Sequence, residues 1–138
     1  MDYQSINCLC KMADLMGLEG QYLEASETFA LIGKKQLEHN LIKYNAQDSF
    51  FKSILLLLAI GITQIDCAKQ KMKDFTHDYC SFGSSRESDF LNNIIIVLEN
   101  GNIHDFADHV YDYDCVCPFD QLSLILLECM PKIFSKLN

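Results

Sequence analysis

The sequence predicts an all-α protein assembled from consecutive helical hairpins. Apolar residues recur at three- and four-residue steps through every long segment, and Gly, Asn and Pro punctuate those segments at short intervals. No stretch of any length alternates apolar and polar residues as a half-buried strand would. At 138 residues, 49% hydrophobic and 22% charged, the chain fits one globular domain, residues 1–138, with a core of its own.

The first helix is expected over Tyr3–Leu18, where Ile6, Leu9, Cys10, Ala13, Met16 and Gly17 follow helical period and Gly20 stands as C-cap. The second runs from Gln21 to about Gln36, with Tyr22, Ala25, Phe29 and Ile32 on one face. Its small residues Ala25, Ala30 and Gly33 would let a neighbouring helix approach closely. With its Ala-x3-Phe spacing, this pair resembles one unit of a tetratricopeptide-like array.

A central helix is expected over Leu41–Ile62, capped by Asn40 and ending at Gly61–Gln64. Leu41, Tyr44, Phe51, Ile54, Leu55, Leu58 and Ile62 would form its buried stripe. The run Ile54–Ile62 is apolar all round, which predicts deep burial between neighbours.

A fourth helix follows from Ile65 to Tyr79. Ser84-Ser85-Arg86-Glu87 has the form of a capping box, with Ser84 as cap, and should start a helix over Ser85–Glu99. Asn100-Gly101-Asn102 reads as a turn, with Asn102 capping the helix Ile103–Tyr113. Pro118 suits the first turn of a last helix that buries Phe119, Leu122, Ile125, Leu126 and Cys129, and Pro131 should break or kink it. Seven helices in short-looped pairs predict a right-handed stack in which each pair touches mainly its sequence neighbours.

Composition excludes several function classes. A net charge of −8 and a pI near 4.8 give no electrostatic footprint for nucleic acid. The longest apolar run, Ile54–Ile62, has nine residues, whereas a spanning helix needs roughly 20. The N-terminus MDYQSINCLCKM lacks the pattern of a secretory signal. Seven cysteines, an odd number without regular spacing, point to reduced thiols and the cytoplasm. Any membrane association is therefore expected to be peripheral and through partners.

Candidate chemistry is sparse. His104/Asp108 and Asp105/His109 are i,i+4 pairs that could ligate a metal, but such loose spacing fits a solvated helix face better. Asp112, Asp114 and Asp120 lack the glycine and glutamate of a calcium loop. No nucleophile–base spacing or phosphate loop occurs. No enzyme activity, cofactor or metal is assigned.

Charge is polarised along the chain. Nine of the eleven Lys and Arg lie at or before Arg86, while Glu87 to Glu128 holds nine Asp and Glu and no Lys or Arg. That asymmetry keeps open a basic partner at the acidic end.

The segment LIKYNAQDSFFK resembles LLKYSAKDYFFK of the alpha- and beta-type soluble NSF attachment proteins, the SNAP adaptors. Cys8, Lys11, Ala13, Gln21-Tyr22, Ala25 and Gly33 fall on family positions before it. After it, FGSSRE at Phe82–Glu87 resembles the family's FSDSRE, and Val110, Tyr113-Asp114 and Asp120-Gln121 resemble VKEYDSISRLDQ. The likeness covers nearly the whole chain, against the C-terminal half of the family.

This resemblance implies a sheet of helical hairpins ending in a C-terminal helical bundle. It implies an adaptor that binds SNARE complexes and recruits and stimulates the NSF-type AAA ATPase that disassembles them in vesicle fusion and intracellular transport. Lys43 matches a SNARE-facing lysine, whereas the lysine four positions on is Gln47 here. Of the acids that meet the ATPase, Glu99 is retained, the positions before and after it are Ile96 and Asn100, and a further aspartate appears as Gly61. Asp105, Asp108 and Asp112 are expected to supply substitute charge. Leu137 matches the penultimate leucine that stimulates the ATPase. The family's N-terminal half has no counterpart in these residues, so the chain reads as a C-terminal fragment. The rival readings are a generic tetratricopeptide-like scaffold unrelated to membrane fusion and a metal-dependent helical protein.

Overall fold

The computed structural model describes residues 2–135, which form eight α-helices and no strand among the described residues. The helices are α1 (Tyr3–Leu18), α2 (Tyr22–Leu37), α3 (Asn45–Ile60), α4 (Ile65–Asp78), α5 (Cys80–Gly83), α6 (Arg86–Asn100), α7 (Ile103–Val116) and α8 (Gln121–Ser135). The all-α class and the hairpin order agree with the sequence. The single-turn α5 had no signal of its own.

Local chemistry sets the helix ends. Asp2 opens α1 by accepting the Ser5 amide at 2.8 Å. Gly20, at φ +89°, closes it: the Gln21 amide donates to the Met16 carbonyl at 2.9 Å and the Gly20 amide to Gly17 at 3.2 Å. The same bond pair closes α6 at Gly101, to Val97 and Leu98. These stops are what turn long apolar periodicity into hairpins.

α3 is the axis of the molecule. It packs on α2, α8, α4 and α6, and every residue from Ser49 to Ala59 is buried. Its adjacent phenylalanines serve different neighbours. Phe50 stacks on Phe75 of α4 at 4.1 Å between ring centres and meets Phe82 of α5 edge-on at 5.8 Å. Phe51 lies 5.9 Å from Phe90 of α6, 6.0 Å from Tyr113 of α7 and 6.3 Å from Phe119 beyond it. Such ring pairs add to plain area burial.

The α2–α3 contact is close enough to require Gly33. A Cβ there would sit 2.3 Å from Cε1 of Phe50. Polar groups trapped between the two helices satisfy each other. The Ser26 hydroxyl donates to the Ser53 carbonyl and the Ser53 hydroxyl to the Ser26 carbonyl, each at 2.8 Å, and Ser49 donates to Gln36 Oε1 at 2.7 Å. No buried side-chain N or O of the described residues lacks a partner.

This register corrects the expected start of α3. The pairs Gln36/Ser49, Gly33/Phe50 and Ser26/Ser53 close around a tip near Leu41, so residues 38–44 are consumed in reversing the chain. Leu41 and Tyr44 are accordingly 83% and 69% exposed rather than part of a buried stripe. Asn40 sits in this turn, not at the helix start. Burial of the apolar run holds from Ile54 to Ala59, whereas Ile62 enters a 3-10 turn and is 46% exposed.

Three further expectations change. The cap of α6 is Ser85, whose Oγ accepts the Ser88 amide at 3.1 Å, because α5 occupies the chain up to Gly83. The shift leaves Glu87 out of the box position. Pro118 lies in the connection before α8, where Asp120 supplies the cap by accepting the Ser123 amide at 2.9 Å. Pro131 does not break α8, which continues to Ser135. The stack is also less neighbour-limited than expected, since α8 returns to pack on α3 and α1.

Lys52 holds that return. The residue is only 8% exposed, and its Nζ lies 2.6 Å from Asp120, 3.4 Å from Asp14 and 3.6 Å from Asp48, as well as 5.3 Å over the Phe29 ring. Burial alone pulls the ammonium pKa down, but the Asp48 charge, the Asp120 hydrogen bond and charge, and Asp14 raise it well above the ordinary lysine value. Burial likewise raises Asp120, but the hydrogen bonds from Lys52 and the Ser123 amide outweigh it and hold the carboxyl below its usual range.

Lys52→Met keeps the apolar stem and leaves three carboxylates facing one another. It should destabilise the protein by about 1–3 kcal/mol, less than the loss of one partner from a fully buried pair, because the carboxylates are partly solvated. Because the Asp120 pKa is lower folded than unfolded, its contribution is complete above about pH 4 and is lost as pH falls through the folded value. Urea unfolding from about pH 6 to about pH 2 should therefore show the gap between wild type and Asp120→Asn closing toward acid. Parallel curves would contradict the assignment.

Candidate functional site

The candidate charges fall in two places, the turn before α3 and the α6–α7 hairpin. The acidic one is the α6–α7 hairpin. Asn102 caps α7 in a reciprocal bond: its Oδ1 accepts the Asp105 amide at 3.1 Å and its Nδ2 donates to Asp105 Oδ2 at 2.8 Å. Asp105 also sits in the first turn of α7, where a carboxylate faces the positive end of the helix dipole. Asp105, Asp108 and Asp112 recur at three- and four-residue steps on one exposed stripe, while Phe106 and Tyr113 are buried.

Glu99 lies in the last turn of α6, where the dipole disfavours an acid. Lys69 of α4 offsets this, its Nζ standing 2.9 Å from Glu99 Oε2. Glu99 thus belongs to the acidic end but is already partnered by Lys69, whereas Asp112 shares a surface hollow with Arg86. Ile96 is 55% exposed, so the position before Glu99 offers an apolar surface instead of charge.

Gly61 adopts φ 139°, ψ −171° between α3 and the 3-10 turn. Side-chain residues rarely enter that region, so the departure from an aspartate here is built into the turn rather than a simple loss of charge.

Lys43 is exposed, in the turn before α3 and not on the helix, and its carbonyl accepts the Ala46 amide at 3.2 Å. Gln47 is half-buried one turn later. The N-terminal half of α3 meets Phe90, Tyr113 and Phe119 through Phe51, whereas Gly61 at its other end lies against Ile133 of α8, beside the α6–α7 turn. Lys43 and the Glu99–Asp105 turn are therefore separated by the length of α3. Leu137 lies outside the described residues.

Burial pushes the Cys10 thiol up, away from reactivity, and the seven cysteines are unpaired with one another. The His104/Asp108 and Asp105/His109 pairs find no third ligand among the described residues.

Comparison with known proteins decides the family. The profile described as "Soluble NSF attachment protein, SNAP" matches residues 2–132. The chain belongs to the SNAP family. It is 29% identical over 123 residues to the alpha-soluble NSF attachment protein of Saccharomyces cerevisiae, covering 89% of this chain and 41% of that protein. The human alpha-soluble NSF attachment protein is 30% identical over 127 residues, covering 91% and 42%. A probable vesicular-fusion protein sec17 homolog of Schizosaccharomyces pombe is 30% identical over 117 residues, covering 85% and 40%.

The chain thus spans about two fifths of these SNAP relatives (41%, 42% and 40%), in their C-terminal part. The LIKYNAQDSFFK likeness lands on the organising stretch of α3, so the residues that mark the SNAP family are largely the ones that hold its fold. The Asn102 cap was legible from the Asn100-Gly101-Asn102 turn, while its reciprocal bond with Asp105 was not. The Lys69–Glu99 pair, across 30 residues, had no local signal.

Glu99→Gln should leave stability within about 1 kcal/mol of wild type, as expected for an exposed ion pair. Asn102→Ala, which removes a cap, should cost about 1 kcal/mol or more. Thermal unfolding checks both, and a Glu99→Gln penalty exceeding that of Asn102→Ala would make Glu99 a structural residue.

Proposed function

We propose that this SNAP-family chain is an adaptor module that docks an NSF-type AAA ATPase through its α6–α7 end and meets a SNARE bundle through the Lys43 end. On this reading it serves SNARE disassembly in vesicle fusion and performs no chemistry itself. The observation that carries the proposal is the family match over residues 2–132, together with relatives named as NSF attachment and vesicular-fusion proteins.

The charge layout supports it. Exposed Asp105, Asp108 and Asp112, with Glu99 behind them, form an acidic docking face for a basic surface of the ATPase. Lys43, at the far end of α3, is free to approach an acidic bundle at the same time. We assign ATPase stimulation to Leu137. Residues 1–138 act as one domain, in the cytoplasm. No described helix is long and apolar enough to cross a membrane, so attachment to membranes runs through the partners.

Binding of the 138-residue chain to the isolated N-terminal domain of an NSF-type ATPase should be clear at about 50 mM salt and fall steeply by about 300 mM, as screening predicts for a charge-driven dock. No binding at low salt would contradict the proposal. Leu137→Ala should leave this binding intact while lowering ATP turnover by the full-length enzyme.

A further inference from the structure

We propose that the acidic end also receives an apolar anchor side chain, carried on a basic segment of the docked partner. The inference rests on the docking reading above and adds what that site recognises besides charge. Between the α6–α7 turn and the end of α8 lies a partly enclosed cavity of about 240 Å³. Its walls are Val97, Leu98, Ile103 and Phe106 of the hairpin and Pro131 and Phe134 of α8.

The chemistry of the lining selects its occupant. Asn102 is the polar side chain in the wall, and both its amide groups are engaged by Asp105, at 3.1 Å and 2.8 Å. Pro131 has no amide hydrogen to offer. Asn102 keeps one spare amide N–H, but the other lining side chains are hydrocarbon, so a polar group placed against them would lose most of its hydrogen bonds to water without replacement. An apolar cavity of about 150 Å³ is enough to hold benzene, so this one admits a leucine, methionine or phenylalanine side chain.

The rim selects what flanks the anchor. The Asp105 carboxylate is tied to a wall residue, Glu99 adjoins Leu98, and the sequence from Glu87 to Glu128 carries no Lys or Arg. Residues on either side of the anchor are thus matched to this rim when they are basic. An apolar anchor ringed by charge is the usual construction of a binding hot spot.

Ile103, 48% exposed at the mouth, gives a test that spares the core. Ile103→Trp fills the mouth and Ile103→Ser removes an apolar wall. Each should weaken binding of the chain to the ATPase N-terminal domain about tenfold, at low and at high salt alike, with unfolding midpoints near wild type. Asp105→Asn should instead flatten the salt dependence. Should one variant fail to fold, the other carries the test. Wild-type binding that both Ile103 variants leave unchanged overturns the anchor while leaving the docking reading intact. Absence of wild-type binding at low salt removes the docking reading itself. A wild-type chain that is dimeric by ultracentrifugation, and monomeric as Ile103→Trp, would assign the cavity to a second copy and also overturn the proposal.

Discussion

The structure depends on five consecutive buried residues of α3, Ser49–Ser53. Together they reach every other helix: Ser49 and Ser53 bind α2, Phe50 joins α4 and α5, Phe51 joins α6 and α7, and Lys52 joins α1 and the cap of α8. Two of these are hydroxyls and one is a charge, groups that are costly to bury unless fully partnered. Here they are partnered, and apart from Asp48 their partners lie on or cap other helices. The same groups that would oppose burial therefore fix one register and one arrangement of neighbours.

That constraint carries through to the surface. Because α3 is held on all sides, the turn carrying Lys43 and the α6–α7 turn at Glu99–Asp105 are set apart by the length of a 16-residue helix, about 24 Å at 1.5 Å per residue, while Asp112 lies back toward the Phe51 end beside Tyr113. On the proposed reading, this spacing lets the two turns meet partners of opposite charge, since neither neutralises the other at ordinary ionic strength. The return of α8 onto α1 and α3 closes the apolar cavity beside the acidic turn, so the Lys52 node and the proposed anchor site belong to one packing arrangement.

Much of this was legible in the sequence, for reasons that differ by element. Helical period, Gly20, Gly101 and Asn102 are local signals, and they placed α1, α2, α6 and α7 closely. Leu41 and Tyr44 were misread because periodicity continues through a reversal that only the α2–α3 register reveals. Ser85 displaced Ser84 because α5, a single turn without a periodic face, takes up the chain before it. At the candidate site, Asp105, Asp108 and Asp112 were reached only through the family likeness, while the Lys69–Glu99 pair and the cavity under Ile103 arise between segments distant in sequence. The family likeness named Lys43 and Glu99 but could not say that one stands on a turn and the other is already in an ion pair.

The central claim is that the acidic hairpin, and not the Lys43 turn, is the face that meets the ATPase. Amide chemical-shift mapping of the 138-residue chain during titration with the N-terminal domain of an NSF-type ATPase tests it most directly. The account predicts perturbations concentrated between about residue 96 and residue 112 and around Pro131, with residues 38–45 unaffected. Perturbations centred on Lys43 or on the exposed side of α1, with the α6–α7 hairpin silent, would contradict it.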